Sequence, residues 1–173
     1  MEHCSAISYG ESDWHCDNEA EFTQWVKATQ KSLVRFCRQI VNNWAEAEDM
    51  AQEAYIRAWQ KRSSFKGESS LLTWQMAIAR RVCLDYLRSS KRNLLLLDKQ
   101  DITSIIDIDT KIDVQNALAK LKADDRIILY LRTGEELPFE EIAMVLGKNP
   151  AACRKRYERA KQKFEAAYSG MEG

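Results

Sequence analysis

The spacing of apolar residues constrains the fold of this chain more than any other feature of the sequence. Apolar side chains recur at intervals of three and four residues, as in amphipathic helices, rather than at the alternating interval of strands. Glycine and proline, which interrupt helices, number only six and two among 173 residues. We therefore predict an all-α fold.

Charge is distributed unevenly along the chain. Lys plus Arg and Asp plus Glu each total 26. Residues 18–92 hold 13 basic and 8 acidic side chains, residues 93–125 hold 4 and 7, and residues 126–168 hold 9 and 6. Two basic blocks separated by an acidic one indicate two modules that each meet a polyanion.

The apolar pattern divides the chain at the same places. We predict a first helical domain over residues 20–92 with four or five helices, and a second over residues 114–168 with breaks at "RTGEELP" and "GKNP". Residues 93–113 have no steady helical period and are interpreted as a flexible linker. Residues 1–19 and 169–173 are assigned to tails.

Several classes of protein are disfavoured by composition. No run approaches eighteen consecutive apolar residues, and the N-terminus lacks the basic-then-apolar order of a signal peptide, so a cytoplasmic protein is expected. The five cysteines form no CxxC pair, which argues against a disulfide framework and a zinc site. The acidic tail holds a weak candidate metal or redox group, His3, Cys4, His15 and Cys16. A disordered polar tail is the more common outcome, and no cofactor is expected.

Residues 137–164, "LPFEEIAMVLGKNPAACRKRYERAKQKF", have the pattern of two helices joined by a tight turn. The first helix has an apolar stripe at i, i+3, i+4 and i+7 made by Phe139, Ile142, Ala143 and Leu146. Gly147 suits a left-handed helix end, and Asn149 and Pro150 suit the cap and first position of the next helix. This segment predicts a helix-turn-helix.

The second helix of this pair has one apolar face and one basic face. Its buried stripe is predicted to be Cys153, Tyr157, Ala160 and Phe164. The candidate DNA-reading residues near the opposite face are Ala151, Arg154, Lys155, Glu158 and Arg159. Small side chains permit close approach, and the basic ones can reach phosphates or guanine edges in a major groove. A surface helix hairpin with solvated charge is the alternative interpretation.

Residues 46–61 also carry two distinct stripes. One is small and apolar, made by Ala47, Met50, Ala51, Ala54 and Ala58, and suits close helix packing. The opposite stripe combines acids, an amide and two large apolar groups: Asp49, Gln52, Glu53, Ile56 and Trp59. Exposed apolar groups rimmed by polar ones often mark a partner site. Packing of Ile56 and Trp59 on another helix of the same domain is an equally open alternative.

A long helix is predicted after Gly67, with a serine able to cap it. Its core face is expected to hold Leu72, Met76, Ala79, Val82, Cys83, Tyr86 and Leu87. The reverse face gathers Trp74, Ala77, Arg81, Leu84 and Arg88, with Arg80 at its margin. Interleaved aromatic and basic residues suit single-stranded nucleic acid. A core tryptophan with incidental surface arginines is the simpler alternative.

Taken together, these segments resemble the extracytoplasmic-function group of bacterial RNA polymerase sigma factors. A "DAEDLVQEAFLRAW"-like helix of that group is matched by "EAEDMAQEAYIRAW" at residues 46–59, and its "F-[RK]-G-[ED]-S-x-x-x-T-W" motif by "FKGESSLLTW" at residues 65–74. Its "LSYEEIAEILGISVGTVKSRLHRAR"-like segment is matched by "LPFEEIAMVLGKNPAACRKRYERAK". The matched blocks occur in the family's order.

The resemblance implies roles for the three sets of residues. The stripe from Asp49 to Trp59 aligns with the family's main binding surface for core RNA polymerase. The residues that align with minus-10 promoter contacts are Phe65, Lys66, Trp74, Arg80, Arg81 and Arg88. The second helix of the helix-turn-helix aligns with minus-35 recognition, and the linker would run near the path of RNA. Arg81 and Ala77 depart from the common family pattern, so the minus-10 base preference does not carry over.

The resemblance further implies a non-catalytic initiation factor whose partners are core RNA polymerase, promoter DNA and an anti-sigma factor, with no small-molecule substrate. A stand-alone helix-turn-helix regulator is the alternative function, but it gives no purpose to the stripe on residues 46–61. An enzyme is disfavoured because neither histidine lies in a catalytic setting and no glycine-rich phosphate loop is present.

Overall fold

The computed structural model describes residues 19–94 and 112–170, with side chains described over residues 19–90 and 114–170. The described residues form seven α-helices: α1 Glu19–Val41, α2 Trp44–Lys61, α3 Leu71–Leu94, α4 Ile112–Ala119, α5 Ala123–Leu129, α6 Phe139–Leu146 and α7 Pro150–Ser169. A 3-10 turn at Arg62–Ser64 follows α2, and a π-helical turn at Tyr130–Gly134 follows α5. The described ranges contain no strand, which confirms the all-α prediction.

The first domain contains three long helices, so the prediction of four or five helices there was wrong. Residues 19–41 contain neither glycine nor proline, and they form one uninterrupted helix. The chain turns at two adjacent asparagines. Asn42 adopts a left-handed conformation with φ 61°, which asparagine tolerates. Asn43 caps α2, because its side chain accepts a hydrogen bond from the backbone N–H of Glu46.

The core of the first domain is made by the faces that the sequence predicted. The small residues of α2, Ala47, Ala51, Ala54 and Ala58, are all buried, which allows α1 and α3 to approach it closely. On α3, Met76, Ala79, Val82 and Cys83 are buried and Leu72, Tyr86 and Leu87 are partly buried. Cys37 of α1 and Cys83 are free buried thiols. A hydrogen bond to Cys83, together with burial, raises the pKa of Cys37 far above its usual range.

The second domain has the predicted helix-turn-helix. Gly147 ends α6 in the left-handed conformation with φ 63°. Asn149 caps α7 by accepting a hydrogen bond of 2.7 Å from the N–H of Ala152, and Pro150 is the first residue of α7. The predicted stripe of α7 faces inward, with Cys153 and Ala160 buried and Tyr157 and Phe164 half-buried. Helices α4 and α5 pack on α7 and complete the domain.

A buried carboxylate joins α5 to α7. The side chain of Asp125 is 4% exposed and lies 2.6 Å from Lys163 Nζ and 3.3 Å from Arg156 Nε. We expect Asp125→Ala to lower the free energy of unfolding by about 1–3 kcal/mol, because both cations reach water and can rehydrate. Urea denaturation followed by circular dichroism measures the loss. Glu165→Ala removes an exposed carboxylate 3.9 Å from Lys161, and this control should change stability by less than about 0.5 kcal/mol.

The two helical domains pack against each other. Helix α6 lies on α3, and α5 with its π-helical turn lies on α1, so the buried apolar residues form one continuous cluster across both domains. Arg126 Nε donates a hydrogen bond of 3.2 Å to the carbonyl oxygen of Gln39 on α1. The Tyr130 hydroxyl lies 3.0 Å from the carbonyl oxygen of Ser32 on α1 and 2.5 Å from the Glu135 carboxylate. Sequence patterns alone did not predict this interface between the domains.

Two tyrosines, Tyr55 buried and Tyr130 partly buried, make the fold sensitive to alkaline pH. Burial raises the pKa of Tyr55 from its ordinary 10.0 to about 12, and burial raises the pKa of Tyr130 far above its usual range, with the charge of Glu135 adding to the effect. The folded state therefore keeps both phenols neutral, whereas the unfolded chain ionises them above pH 10. The stability that Tyr55 contributes is fully present below pH 10 and is lost as pH rises from there through 12, whereas for Tyr130 the loss begins at the same pH and continues further.

We expect the free energy of unfolding to fall by about 1.4 kcal/mol per pH unit for each such tyrosine above pH 10. Urea unfolding at pH 9 and pH 11 measures this slope. Tyr55→Phe also removes the 2.8 Å hydrogen bond with Thr29, so it lowers stability at both pH values. The prediction concerns how steeply the free energy of unfolding falls with pH, and this slope should be shallower in the variant. Equal slopes in the two proteins would contradict the assignment of the pH dependence to Tyr55.

Candidate functional surfaces

The stripe predicted as a partner site forms a ridge on α2, here called the α2 ridge: Asp49, Gln52, Glu53, Ile56 and Trp59. Asp49, Gln52 and Ile56 are exposed, and Glu53 and Trp59 are partly exposed. The Ile56 side chain is 53% exposed, and only Ile56 and Met144 are conspicuously exposed large hydrophobic residues in the described part of the chain. An isoleucine that stays exposed forgoes the stabilisation that burial of its apolar surface would give. The α2 ridge therefore has the mixed apolar and acidic character of a partner surface.

Trp59 is partly packed inside its own domain and partly exposed, so each of the two interpretations of this residue, domain packing and partner surface, applies to part of its ring. Its ring centroid is 4.9 Å from that of Phe22 on α1, and the Arg62 guanidinium carbon lies 4.3 Å from its ring centroid. One part of the ring thus packs inside its own domain while the rest remains accessible. The contacts fix the orientation of the indole, and a pre-oriented tryptophan loses little entropy when a partner covers it.

The predicted single-strand surface lies on α3 and in the loop before it, and is called the α3 face: Phe65, Lys66, Trp74, Arg80, Arg81 and Arg88. Phe65 and Trp74 pack together with ring centroids 5.4 Å apart, and both rings remain partly exposed. Lys66, Arg81 and Arg88 are exposed, and Arg80 is partly buried. Arg88 is 3.1 Å from Asp85 on the same helix. Helical geometry thus brings an aromatic pair and several cations to one surface.

The reverse side of α3 is more covered than the sequence predicted. Ala77 and Leu84, expected to be exposed, are partly buried, and α6 of the second domain packs against this helix. At the start of α3 the hydroxyls of Ser70 and Thr73 both donate to the Glu141 carboxylate of α6. Sequence reasoning missed these three residues. The motif "FKGESSLLTW" contains both hydroxyls, but nothing in the sequence pointed to their carboxylate partner.

The predicted recognition residues lie on the outer side of α7, here called the α7 face: Ala151, Arg154, Lys155, Glu158 and Arg159. All five are exposed. Lys155 and Arg159 form no ion pair with any residue that the structure describes. Arg154 lies 3.1 Å from Glu140 on α6 and over the ring of Phe139. This pair is exposed and contributes little stability, so Arg154 can exchange it for a phosphate at low cost.

Other basic residues of α7 form ion pairs within their own domain. Arg156 and Lys163 pair with Asp125, and Arg156 also lies 3.1 Å from Asp124. Burial raises the pKa of Cys153, which lies in the core beneath α7. The basic residues of this helix therefore form two sets: Arg156 and Lys163 pair with acids of α5, and an outer set faces solvent. The outer set includes Arg154, Lys155 and Arg159 of the α7 face, and Lys161 pairs with Glu165 on the same helix.

The weak metal candidate, His3, Cys4, His15 and Cys16, lies outside the described residues. Over residues 19–94 and 112–170 no group of three or more His, Cys, Asp or Glu is arranged to hold a metal ion. No helix in these ranges combines the length and apolar character needed to cross a membrane.

An all-helical fold with a basic helix-turn-helix places this chain in the class of helical DNA-binding proteins. Two family models match it, Sigma-70 region 2 over residues 25–93 and Sigma-70 region 4 over residues 111–164. The chain belongs to the sigma-70 family of RNA polymerase sigma factors, in its extracytoplasmic-function group, as the sequence resemblance predicted.

Several curated relatives are similar to this chain. The probable RNA polymerase sigma factor RfaY of Xanthomonas campestris pv. campestris is 30% identical over 149 residues, covering 79% of this chain but only 37% of RfaY. The ECF RNA polymerase sigma factor SigG of Mycobacterium tuberculosis is 32% identical over 79 residues, which is 21% of SigG. The ECF RNA polymerase sigma factor SigW of Bacillus subtilis is 24% identical, covering 82% of this chain and 85% of SigW. The matched part of the chain thus spans only 37% and 21% of the lengths of the first two relatives.

Two solved structures share the fold. The sigma factor RpoE, crystallised with the anti-sigma factor NepR from Bartonella quintana, matches with a TM-score of 0.77 at 24% identity, covering 86% of this chain and 97% of RpoE. CnrH, in complex with the cytosolic domain of CnrY, matches with a TM-score of 0.67 at 21% identity, covering 90% and 92%. At these identities the likeness concerns the fold.

Proposed function

We propose that this protein is an alternative sigma factor that binds core RNA polymerase and directs it to specific promoters. The α2 ridge would bind the polymerase, the α3 face would hold the opened minus-10 element, and the α7 face would read the minus-35 element. Each protein surface supplies binding energy, and the chemistry of RNA synthesis belongs to the polymerase. The protein itself performs no catalysis in this proposal.

The observation that carries the proposal is the uncovered α2 ridge. Ile56 is 53% exposed beside exposed Asp49 and Gln52, and a partner that covers this ridge would gain apolar burial. A stand-alone helix-turn-helix regulator would need the α7 face but has no use for a second, apolar and acidic surface on another domain. This difference favours the sigma factor over the alternative regulator.

The two DNA surfaces are supported by their different chemistry. The α7 face is a small-residue and cationic surface on the second helix of a helix-turn-helix, which suits a duplex major groove. The α3 face holds the Phe65 and Trp74 ring pair, and exposed Arg81 follows Trp74 by two turns on the same side of α3, an arrangement that suits unstacked bases and their backbone. Duplex recognition and strand opening would then lie on separate domains.

We also infer that an anti-sigma factor controls the protein. The solved relatives RpoE and CnrH are each described in complex with another protein, NepR and the cytosolic domain of CnrY. In this chain, the exposed α2 ridge offers an apolar surface that such a partner can bury in competition with the polymerase.

Reconstitution tests the proposed function directly. The protein is combined with bacterial core RNA polymerase and a fragmented genomic library, and the transcripts are mapped. We expect initiation at a limited set of sites that share two sequence elements and that are absent with core polymerase alone. A protein that binds duplex DNA tightly but leaves the transcript pattern of core polymerase unchanged would instead be a stand-alone regulator.

A further inference from the structure

Four side chains of alternating charge cross the contact between α2 and α3. On α2, Arg57 Nε donates a hydrogen bond of 2.7 Å to Glu53 Oε1. On α3, Arg88 Nη1 donates a hydrogen bond of 3.1 Å to Asp85 Oδ1. The two pairs are joined across the helices, because Arg57 Nη1 lies 3.8 Å from Asp85 Oδ2. These residues are here called the ion-pair network: Glu53, Arg57, Asp85 and Arg88.

The two ends of the ion-pair network belong to different proposed surfaces. Glu53 is part of the α2 ridge, which is proposed to bind the polymerase, and Arg88 is part of the α3 face, which is proposed to hold the minus-10 strand. Arg57 and Asp85 belong to neither surface. Because small residues let α2 and α3 pack closely, these two central side chains come within reach of each other. The network thus connects the two proposed surfaces.

Each central residue of the network is shared between two partners. The Arg57 guanidinium contacts Glu53 and Asp85, and the Asp85 carboxylate contacts Arg57 and Arg88. The contact of 3.8 Å between Arg57 and Asp85 is close to the limit of about 4 Å for an ion pair, whereas the two outer contacts are shorter. If another cation pairs with Glu53, Arg57 can move closer to Asp85. Asp85 then has less need of Arg88, which becomes available to a phosphate.

The exchange of partners is possible because the network lies at the surface. Its side chains are between 38% and 73% exposed, and exposed ion pairs are weak. A basic side chain of the polymerase or a phosphate of DNA can therefore compete with the internal partners. The same exposure limits how strongly the two ends influence each other, so we expect an effect of a few fold.

We propose that Arg57 and Asp85 are positioning residues that couple polymerase binding at the α2 ridge to DNA binding at the α3 face. The inference rests on the proposed function, because both ends of the network lie on proposed surfaces. A basic group of the polymerase pairs with Glu53, Arg57 shifts to Asp85, and Arg88 is released to a DNA phosphate. The coupling is reciprocal, so a DNA strand that holds Arg88 makes Glu53 more available to the polymerase.

The first experiment measures DNA binding by holoenzyme that contains Arg57→Gln. The probe is a fluorescein-labelled single-stranded oligonucleotide with the minus-10 element of a promoter found by transcript mapping, and anisotropy is measured at fixed salt. We expect binding about threefold weaker, or about 0.7 kcal/mol, because Asp85 then retains Arg88. Lys61→Gln is the matched control. Lys61 is an exposed cation of α2 that forms no ion pair with the described residues, and its loss should change affinity less than twofold.

A double-mutant cycle shows whether Arg57 acts through Arg88. Arg88→Gln removes the proposed phosphate contact, so the addition of Arg57→Gln should cause no further loss of affinity. Losses that multiply would mean that Arg57 acts on DNA by its own charge, and they would overturn the proposal. Asp85→Asn removes the internal acceptor of Arg88. It should restore normal DNA affinity to the Arg57→Gln holoenzyme and leave the affinity of the unmodified holoenzyme unchanged.

The reciprocal measurement distinguishes coupling from a local effect on DNA binding. The affinity of the protein for core polymerase is measured with and without saturating oligonucleotide. By linkage, the oligonucleotide should strengthen polymerase binding about threefold less in the Arg57→Gln variant than in the unmodified protein. An equal effect of the oligonucleotide in the two proteins would overturn the proposal. Circular dichroism confirms that each variant is folded.

Failure of this inference is distinguishable from failure of the proposed function. Transcription by the unmodified protein with core polymerase tests the function and does not depend on the ion-pair network. If transcription occurs but the oligonucleotide strengthens polymerase binding equally in the two proteins, the coupling is wrong and the function stands. If no promoter is transcribed, the proposed function fails and the inference fails with it.

Discussion

Charge reversal of Lys155 and Arg159 to glutamate is expected to abolish transcription from the cognate promoter while leaving polymerase binding intact. Both side chains are exposed and form no ion pair with the described residues, so both are available to DNA. A bidentate base contact contributes about 1–3 kcal/mol of discrimination, and an acid at the same position repels phosphate. We expect a loss of a hundredfold or more, measured by run-off transcription with reconstituted holoenzyme.

A matched variant separates recognition from total charge. Lys27→Glu with Lys31→Glu changes the net charge by the same amount, and both lysines are exposed on α1 rather than on α7. This control should transcribe within about threefold of the unmodified protein at moderate salt, where distant charges are screened. Normal transcription by the Lys155 and Arg159 variant would show that the recognition helix is misassigned. Loss of polymerase binding in that variant would indicate a wider defect.

The helix-turn-helix was predictable from sequence because its determinants are local. Gly147 sets the end of α6 by its backbone freedom, and Asn149 sets the start of α7 by its side chain. These signals lie within four residues of each other, and both helices have regular apolar stripes. No distant contact is needed to specify such a turn, and the structure reproduces it residue by residue.

The contact of Glu141 with Ser70 and Thr73 was not predictable in the same way. Glu141 looks like an ordinary acid in the first turn of a helix, where it also favours the helix dipole. Its partners lie 68 and 71 residues earlier in the chain. Helical periodicity identifies which residues share a face but not which other helix covers that face. For the same reason Ala77 and Leu84 were expected to be exposed and are partly buried.

The α2 ridge occupies an intermediate position between these cases. Periodicity placed Ile56 and Trp59 on one side of the helix, and the structure leaves Ile56 exposed. The two residues differ in their tertiary contacts, because Trp59 packs on Phe22 of α1 whereas Ile56 faces water. Sequence therefore predicted the composition of the ridge, and tertiary packing determined how much of each side chain a partner can reach.

Trp59→Ala combined with Gln52→Ala is expected to weaken binding to core polymerase by about a hundredfold. Tryptophans at the centre of an interface commonly contribute 2 kcal/mol or more, and a buried amide that loses its partner adds about 1 kcal/mol. The contacts of Trp59 with Phe22 and Arg62 mean that its loss also costs some stability of the first domain. Affinity is therefore measured below the unfolding transition, with labelled protein titrated with core polymerase.

Trp44→Ala combined with Gln30→Ala is the matched control for that loss of stability. Trp44 is a partly buried tryptophan at the start of the same helix, and its ring lies 5.8 Å from the Arg38 guanidinium carbon, away from the α2 ridge. This pair deletes the same side-chain types and should bind polymerase within about threefold of the unmodified protein. Equal losses in the two variants would mean that weakened packing, rather than the ridge, lowers affinity. Unchanged affinity of the Trp59 and Gln52 variant would place the polymerase contact elsewhere.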